Sequence, residues 1–160
     1  MTKPQALRLN PQEMACALEQ RILQQIPLLA AMELRLDRYD GDCLQLSAPL
    51  TPNINDKGTA FGGSLATLAT ITGWCFTTLL ADRLGDNEVV VADSQLAYLK
   101  PVAGRLCSRC ELDHSGIGEQ FLEQLRERGR ASLQLEVVIG NEIPALRYSG
   151  RYVARLRTTP

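Results

Sequence analysis

The sequence predicts an α+β domain in which a curved, mainly antiparallel sheet wraps one long buried helix. Three observations predict it. Gly62 to Ala81 is a 20-residue run without a charged side chain. Segments in which apolar and polar residues alternate, the pattern of half-buried strands, lie on both sides of that run. Short turn signals separate most of these segments, so that neighbouring strands return antiparallel. The 160 residues can bury a full core, and no repeat or linker divides them. One domain over residues 1–160 is expected, with residues 1–10 flexible ahead of it.

Asn10-Pro11-Gln12-Glu13 is a helix start, with Asn as N-cap, Pro at the first helical position and Glu three residues after the cap. Met14, Leu18, Ile22 and Ile26 then recur at helical spacing until Pro27 ends the run. Met32, Leu34 and Leu36 alternate with charged residues as a first strand, and Asp40-Gly41 is a hairpin turn. Leu44, Leu46 and Ala48 form a second strand, stopped by Pro49 and Pro52. After the long helix and a turn at Gly85-Asp86-Asn87, Glu88 to Leu99 reads as a third strand and Arg105 to Asp113 as a fourth. Ile117, Phe121 and Leu125 mark a short helix that Gly129 terminates. Leu133 to Ile139 and Leu146 to Leu156 complete the sheet, with a bend expected at Gly150.

Composition narrows the functional classes. Seventeen basic against 18 acidic side chains lack the basic excess of a nucleic-acid binder. Five cysteines, odd in number and set among apolar neighbours, suit a reducing cytoplasm rather than a disulfide framework. Cys107 and Cys110 resemble half of a metal site, but their spacing on a strand sends the sulfurs to opposite faces, and no metal is expected. The uncharged run is long enough to cross a bilayer. Its threonines and Gly73 dilute the hydrophobicity, and a central helix wrapped by a sheet accounts for the same residues, so no membrane span is expected.

The chemistry concentrates at residues 53–64, Asn-Ile-Asn-Asp-Lys-Gly-Thr-Ala-Phe-Gly-Gly-Ser. A polar loop here runs into paired glycines that open the long helix. A helix N-terminus presents free N–H groups and partial positive charge. Gly62 and Gly63 remove the side chains that would hold a ligand oxygen away from it, or they serve close packing of the helix. Asn55 offers a neutral amide donor. From Lys57 to Ala81 there is no acidic residue, so acid–base or nucleophilic work would fall to Asp56 in the loop or Asp93 on the third strand. The only histidine, His114, lies in a distant turn, which argues against a dehydratase. Ser64 is not part of a Gly-x-Ser-x-Gly elbow. Trp74 and Phe76 read as core.

This layout, the 53–64 segment and Thr72-Gly73-Trp74 resemble the hot-dog fold. More narrowly they resemble its YiiD C-terminal branch, which is described as thioesterases and includes the Mad-type malonyl-ACP decarboxylases. Ala92-Asp93, Tyr98-Leu99-Lys100-Pro101-Val102, Arg128-Gly129-Arg130 and Leu135-Glu136-Val137 extend the likeness over about residues 11–157. The resemblance implies a homodimer, or a tetramer built from two, with strands paired across the interface and two sites between subunits. It implies a thioester substrate on phosphopantetheine, carried by acyl carrier protein (ACP) or CoA, and no resident cofactor. It also implies Asn55 as catalytic, with the N–H groups at Gly62 and Gly63 holding the thioester oxygen and water or Asp93 returning a proton. Asn53, Asp56, Phe61 and Ser64 are the expected substrate-binding residues beside them, with Asn53 read alternatively as a loop cap held by side-chain hydrogen bonds and Asp56 as a loop or cap carboxylate. Arg128 and Arg130 read either as a solvated turn or, in this fold, as contacts for phosphates or an acidic carrier. Three activities stay open: malonyl-ACP decarboxylation feeding fatty-acid initiation, acyl thioester hydrolysis, and acyl-pantetheine binding without catalysis.

Overall fold

The computed structural model describes residues 9–157, so most of the segment expected to be flexible, residues 1–8, lies outside the described residues. Asn10 caps α1 (Pro11–Gln25) reciprocally: its Oδ1 accepts the Glu13 N–H at 2.9 Å, and Glu13 Oε2 accepts the Asn10 N–H at 2.8 Å. Pro27 ends this run as expected but also opens a second helix, α2 (Pro27–Ala31), too short to leave a periodic pattern. Glu33, at φ 56°, closes α2. Its N–H donates to Ala30 O and the Leu34 N–H to Leu29 O. The first strand therefore starts later than the alternation suggested. Met32 and Leu34 are buried by the helix end, and β1 is Arg35–Tyr39.

The remaining elements are β2 (Cys43–Ala48), α3 (Gly62–Ala81), β3 (Asn87–Tyr98), β4 (Leu106–Glu111), α4 (Ile117–Arg128), β5 (Arg130–Ile139) and β6 (Leu146–Leu156). The six strands form one sheet in the order β1-β2-β4-β5-β6-β3, and every pair is antiparallel. One short connection is not a hairpin. Residues 99–105 carry the chain away from β3, which pairs with β6 at the sheet edge, to β4 beside β2. This curved sheet around a long helix is the hot-dog fold, in the α+β class.

Thirteen of the 20 residues of α3 are buried, so the run long and apolar enough to cross a bilayer is occupied by the protein's own sheet. Two polar networks fix how α3 is turned about its axis. Thr72 Oγ1 donates to Leu68 O at 2.6 Å and lies 2.7 Å from Ser108 Oγ on β4. On β6, Tyr152 donates to Thr70 O at 2.8 Å, and its hydroxyl is 2.8 Å from that of Tyr148. Both rings need glycines. A Cβ at Gly73 would come within 2.4 Å of the Tyr152 oxygen, and one at Gly150 within 2.5 Å of the Tyr148 ring. Gly150 is thus not a bend: it stays in register with Leu135 and Ser94, and the missing side chain makes room for Tyr148.

β3 is a free edge. Its 12 residues pair on one side only among the described residues, and Val90 and Val91 are exposed. An edge this long and apolar is a template for pairing with another strand.

Candidate active site at the start of the central helix

The loop before α3 is held by its asparagines. Asn53 is buried, and its Nδ2 donates to Met32 O at 2.9 Å and Pro49 O at 2.8 Å. Of its two readings the loop cap is the one observed: it staples the loop to the end of α2 and has no exposed face to offer substrate. Its own carbonyl accepts the Phe61 N–H at 2.7 Å, which brings the loop's two ends together.

Asn55 closes the turn between them. Its Oδ1 accepts the N–H groups of Lys57 (2.8 Å) and Thr59 (3.1 Å). Its Nδ2 donates to Thr59 Oγ1 at 2.9 Å and, more weakly, to Ala60 O at 3.3 Å. The amide is therefore oriented by four contacts within its own loop. Any donation to a ligand replaces the longest of them. Asp56, next to it, points to solvent and pairs with Lys57 Nζ at 2.8 Å.

The helix start itself is uncapped. Phe61 occupies the N-cap position and supplies no side-chain hydrogen bond, and no acidic residue lies in the first turn. The first helical bond runs from the Leu65 N–H to Phe61 O, so the N–H groups of Gly62, Gly63 and Ser64 have no acceptor among the described residues. Those free donors and the aligned dipole of a 20-residue helix make a site for developing negative charge. At Gly63 a Cβ would meet the Phe61 ring at 2.3 Å, so a side chain there would displace that exposed ring. A Cβ at Gly62 would only touch the Tyr98 ring at 3.5 Å. Tyr98 is the residue that sequence reasoning missed as part of this site. Its hydroxyl donates to Gly62 O at 3.0 Å, and both its ring and that of Phe61 are exposed beside the free N–H groups. The signal was present, since Tyr98 opens the Tyr-x-x-Pro strand end, but nothing in the sequence tied that strand end to the glycines.

Three expected residues are not brought here within one chain. Asp93 precedes Tyr98 by five residues, about 17 Å along the strand. It was a candidate acid, base or proton source; within one chain it is exposed on the edge strand, and Arg151 donates to its Oδ2 at 2.7 and 2.9 Å. Arg128 and Arg130 flank Gly129, whose carbonyl accepts the Leu156 N–H, and Leu156 pairs with Asn87. That is the far end of the sheet, beside the C-terminus of α3, roughly 30 Å from Gly62 along the helix.

From this start α3 leaves a half-exposed stripe through Gly63, Ala66, Thr67, Thr70 and Trp74. One flank of it opens on an apolar groove of about 430 Å³, walled by Ile26, Leu28 and Ile71.

The family model described as "Putative thioesterase (yiiD_Cterm)" matches residues 15–156. The chain belongs to this YiiD C-terminal thioesterase family. Among solved structures, it is 31% identical to a Chlorobaculum tepidum protein of unknown function, with a TM-score of 0.87 over 93% of this chain and 98% of that one. A "putative thioesterase" from Shewanella oneidensis is 29% identical, with a TM-score of 0.80 over 91% and 99% of the two chains. A Haemophilus influenzae thioesterase, at 14% identity and a TM-score of 0.64 over 94% of each chain, shares the fold. Hot-dog chemistry on acyl thioesters is the activity this membership supports.

Proposed function

We propose that this YiiD-family protein decarboxylates a malonyl thioester carried on phosphopantetheine, leaving an acetyl thioester that can initiate fatty-acid synthesis. The observation that carries the reading is the uncapped start of α3: three free N–H groups, bare glycines and no carboxylate on the helix. In this reaction the bond between the carboxylate carbon and the α-carbon breaks. Its electron pair moves into the thioester enolate, carbon dioxide leaves, and water returns a proton to the α-carbon. No side-chain nucleophile or base takes part. The donors at Gly62 and Gly63 meet the oxygen where the charge appears, and removing one such donor typically costs about 3–4 kcal/mol. Asn55 lends its weakly held N–H to the same oxygen, and being an amide it does so without titrating. Phe61 and Tyr98 give the carboxylate an apolar surround that favours its loss as neutral carbon dioxide.

The protein acts in this reading as a cytoplasmic homodimer, the exposed β3 edges pairing, with ACP or CoA presenting the substrate. The test is Asn55→Asp, which keeps the acceptor for the Lys57 and Thr59 N–H groups while removing the donors. A folded variant with acetyl-ACP formation reduced by two orders of magnitude or more supports the role. Full activity removes it.

A second reading, hydrolysis, is favoured by the description of the family and of the Shewanella relative as thioesterases. Asp56, the one acid in the loop, would then have to leave Lys57 and activate water.

A further inference from the structure

We infer that Trp74 walls the site of the opposite subunit in the homodimer, covering the start of its partner's α3; this rests on the dimer proposed above. Trp74 is the chain's single tryptophan; it packs partly buried against the core, shares the groove walled by Ile26 and Leu28, and keeps part of its ring open on the α3 stripe. Its indole N–H donates to Val89 O at 2.7 Å, which fixes the ring against the first residues of the edge strand. That bond sets the orientation of the ring and leaves part of its surface open to a second copy.

Its own site is out of reach. Twelve residues separate Gly62 from Trp74, about 18 Å of helix. A second copy reverses the relation. Two identical edge strands related by a two-fold axis perpendicular to the sheet run antiparallel and keep the same face toward their helices. Tyr98, bonded to Gly62, ends β3, whereas Val89, bonded to Trp74, lies near its beginning. Pairing two β3 strands end to end sets Asn87 against Tyr98 and Val89 against Leu96. Val89 and Leu96 both belong to the inner face, since they pair with the buried residues Ala154 and Tyr148. The partner's Trp74 therefore arrives beside Tyr98 and Phe61, over the free N–H groups of Gly62 and Gly63. There it excludes water from the oxygen-binding donors and closes the apolar surround on the side that one chain leaves open.

Mixed dimers test this. Trp74→Ala and Asn55→Asp chains carrying different tags are co-expressed, and the mixed species is purified after both parents are confirmed as folded dimers. If Trp74 acts across the interface, one of the two sites in the mixed dimer is intact, and activity on malonyl-ACP returns to about half of wild type. If activity equals the mean of the two parents, the inference is overturned while the proposed reaction stands. A monomer in sedimentation overturns both the dimer and the inference. Trp74 emission supplies a readout that needs no turnover. Saturation with a thioether analogue of malonyl-CoA, with binding confirmed by calorimetry, shifts or quenches the single tryptophan. An unchanged spectrum at saturation contradicts the placement even if the wild type decarboxylates nothing.

Discussion

The Tyr98 hydroxyl donates to the carbonyl of Gly62 at 3.0 Å, tying the last residue of the edge strand to the first residue of the central helix. Removing that oxygen with Tyr98→Phe keeps the ring beside the site. A net hydrogen bond of this kind contributes about 0.5–1.5 kcal/mol. Thermal unfolding should move down by roughly 1–6 °C. Turnover should fall further than that loss implies, because the helix start is no longer held against the strand. A variant with wild-type turnover would show that the bond has no part in the site.

Glu33 sits at φ 56° at the end of α2, where a side chain is strained and glycine is not. The left-handed conformation costs about 1–2 kcal/mol in a non-glycine residue, against about 0.4–1 kcal/mol of extra backbone entropy for glycine. Glu33→Gly is expected to stabilise the protein by about 0.5–1 kcal/mol, read as a raised denaturant midpoint with unchanged slope. A lowered midpoint would mean that the Glu33 side chain contributes something its exposed position does not suggest.

Burial raises the thiols of Cys75 and Cys110, the latter to about 12, and raises the Tyr152 phenol. In the unfolded chain these groups ionise near about 8.5 and 10. Their folded values lie above their unfolded ones, so their contribution is intact below about pH 8.5 and is lost as pH rises toward the folded values. The urea midpoint should fall as pH rises above about 9. In the native protein a thiol reagent should label exposed Cys16 rapidly, and Cys75 and Cys110 only on unfolding. A midpoint that rises with pH would contradict the assignment.

The Tyr148–Tyr152 pair should be sensitive to added volume at the glycines that seat it. Gly73→Ala drives a Cβ to within 2.4 Å of the Tyr152 hydroxyl, which is held between Thr70 O and Tyr148. Overpacking of this kind costs roughly 1–3 kcal/mol. Differential scanning calorimetry of the variant should show that loss. An unaltered transition would mean that the tyrosines can shift freely.

Much of this fold was legible because its signals are local and periodic. Asn10 and Glu13 announced the first helix, and the uncharged run gave α3 to the residue. What stayed hidden depended on contacts between distant segments. The α2 helix has five residues, fewer than two turns, and its terminal Glu33 gives no glycine to mark the end. Gly150 read as a bend because a glycine in a strand has two meanings, and only the Tyr148 ring decides between them. At the candidate site, the glycines and asparagines singled out the loop, yet the division of labour between Asn53 and Asn55 lies in partners as far away as Met32. Residue type suggested a cap for Asn53 but could not say that its amide is buried against the end of α2. Nor could it say that Asp93, isolated in an apolar strand, lies paired with Arg151 on the surface.

In the proposed reaction, charge gathers at an oxygen held by main-chain donors and the thioester is left whole. The most direct measurement incubates purified protein with malonyl-ACP and follows carbon dioxide, acetyl-ACP and free thiol together. Carbon dioxide and acetyl-ACP in equal amounts, with no thiol appearing, is the predicted result. Release of free ACP thiol without carbon dioxide would contradict it and assign the helix start to hydrolysis.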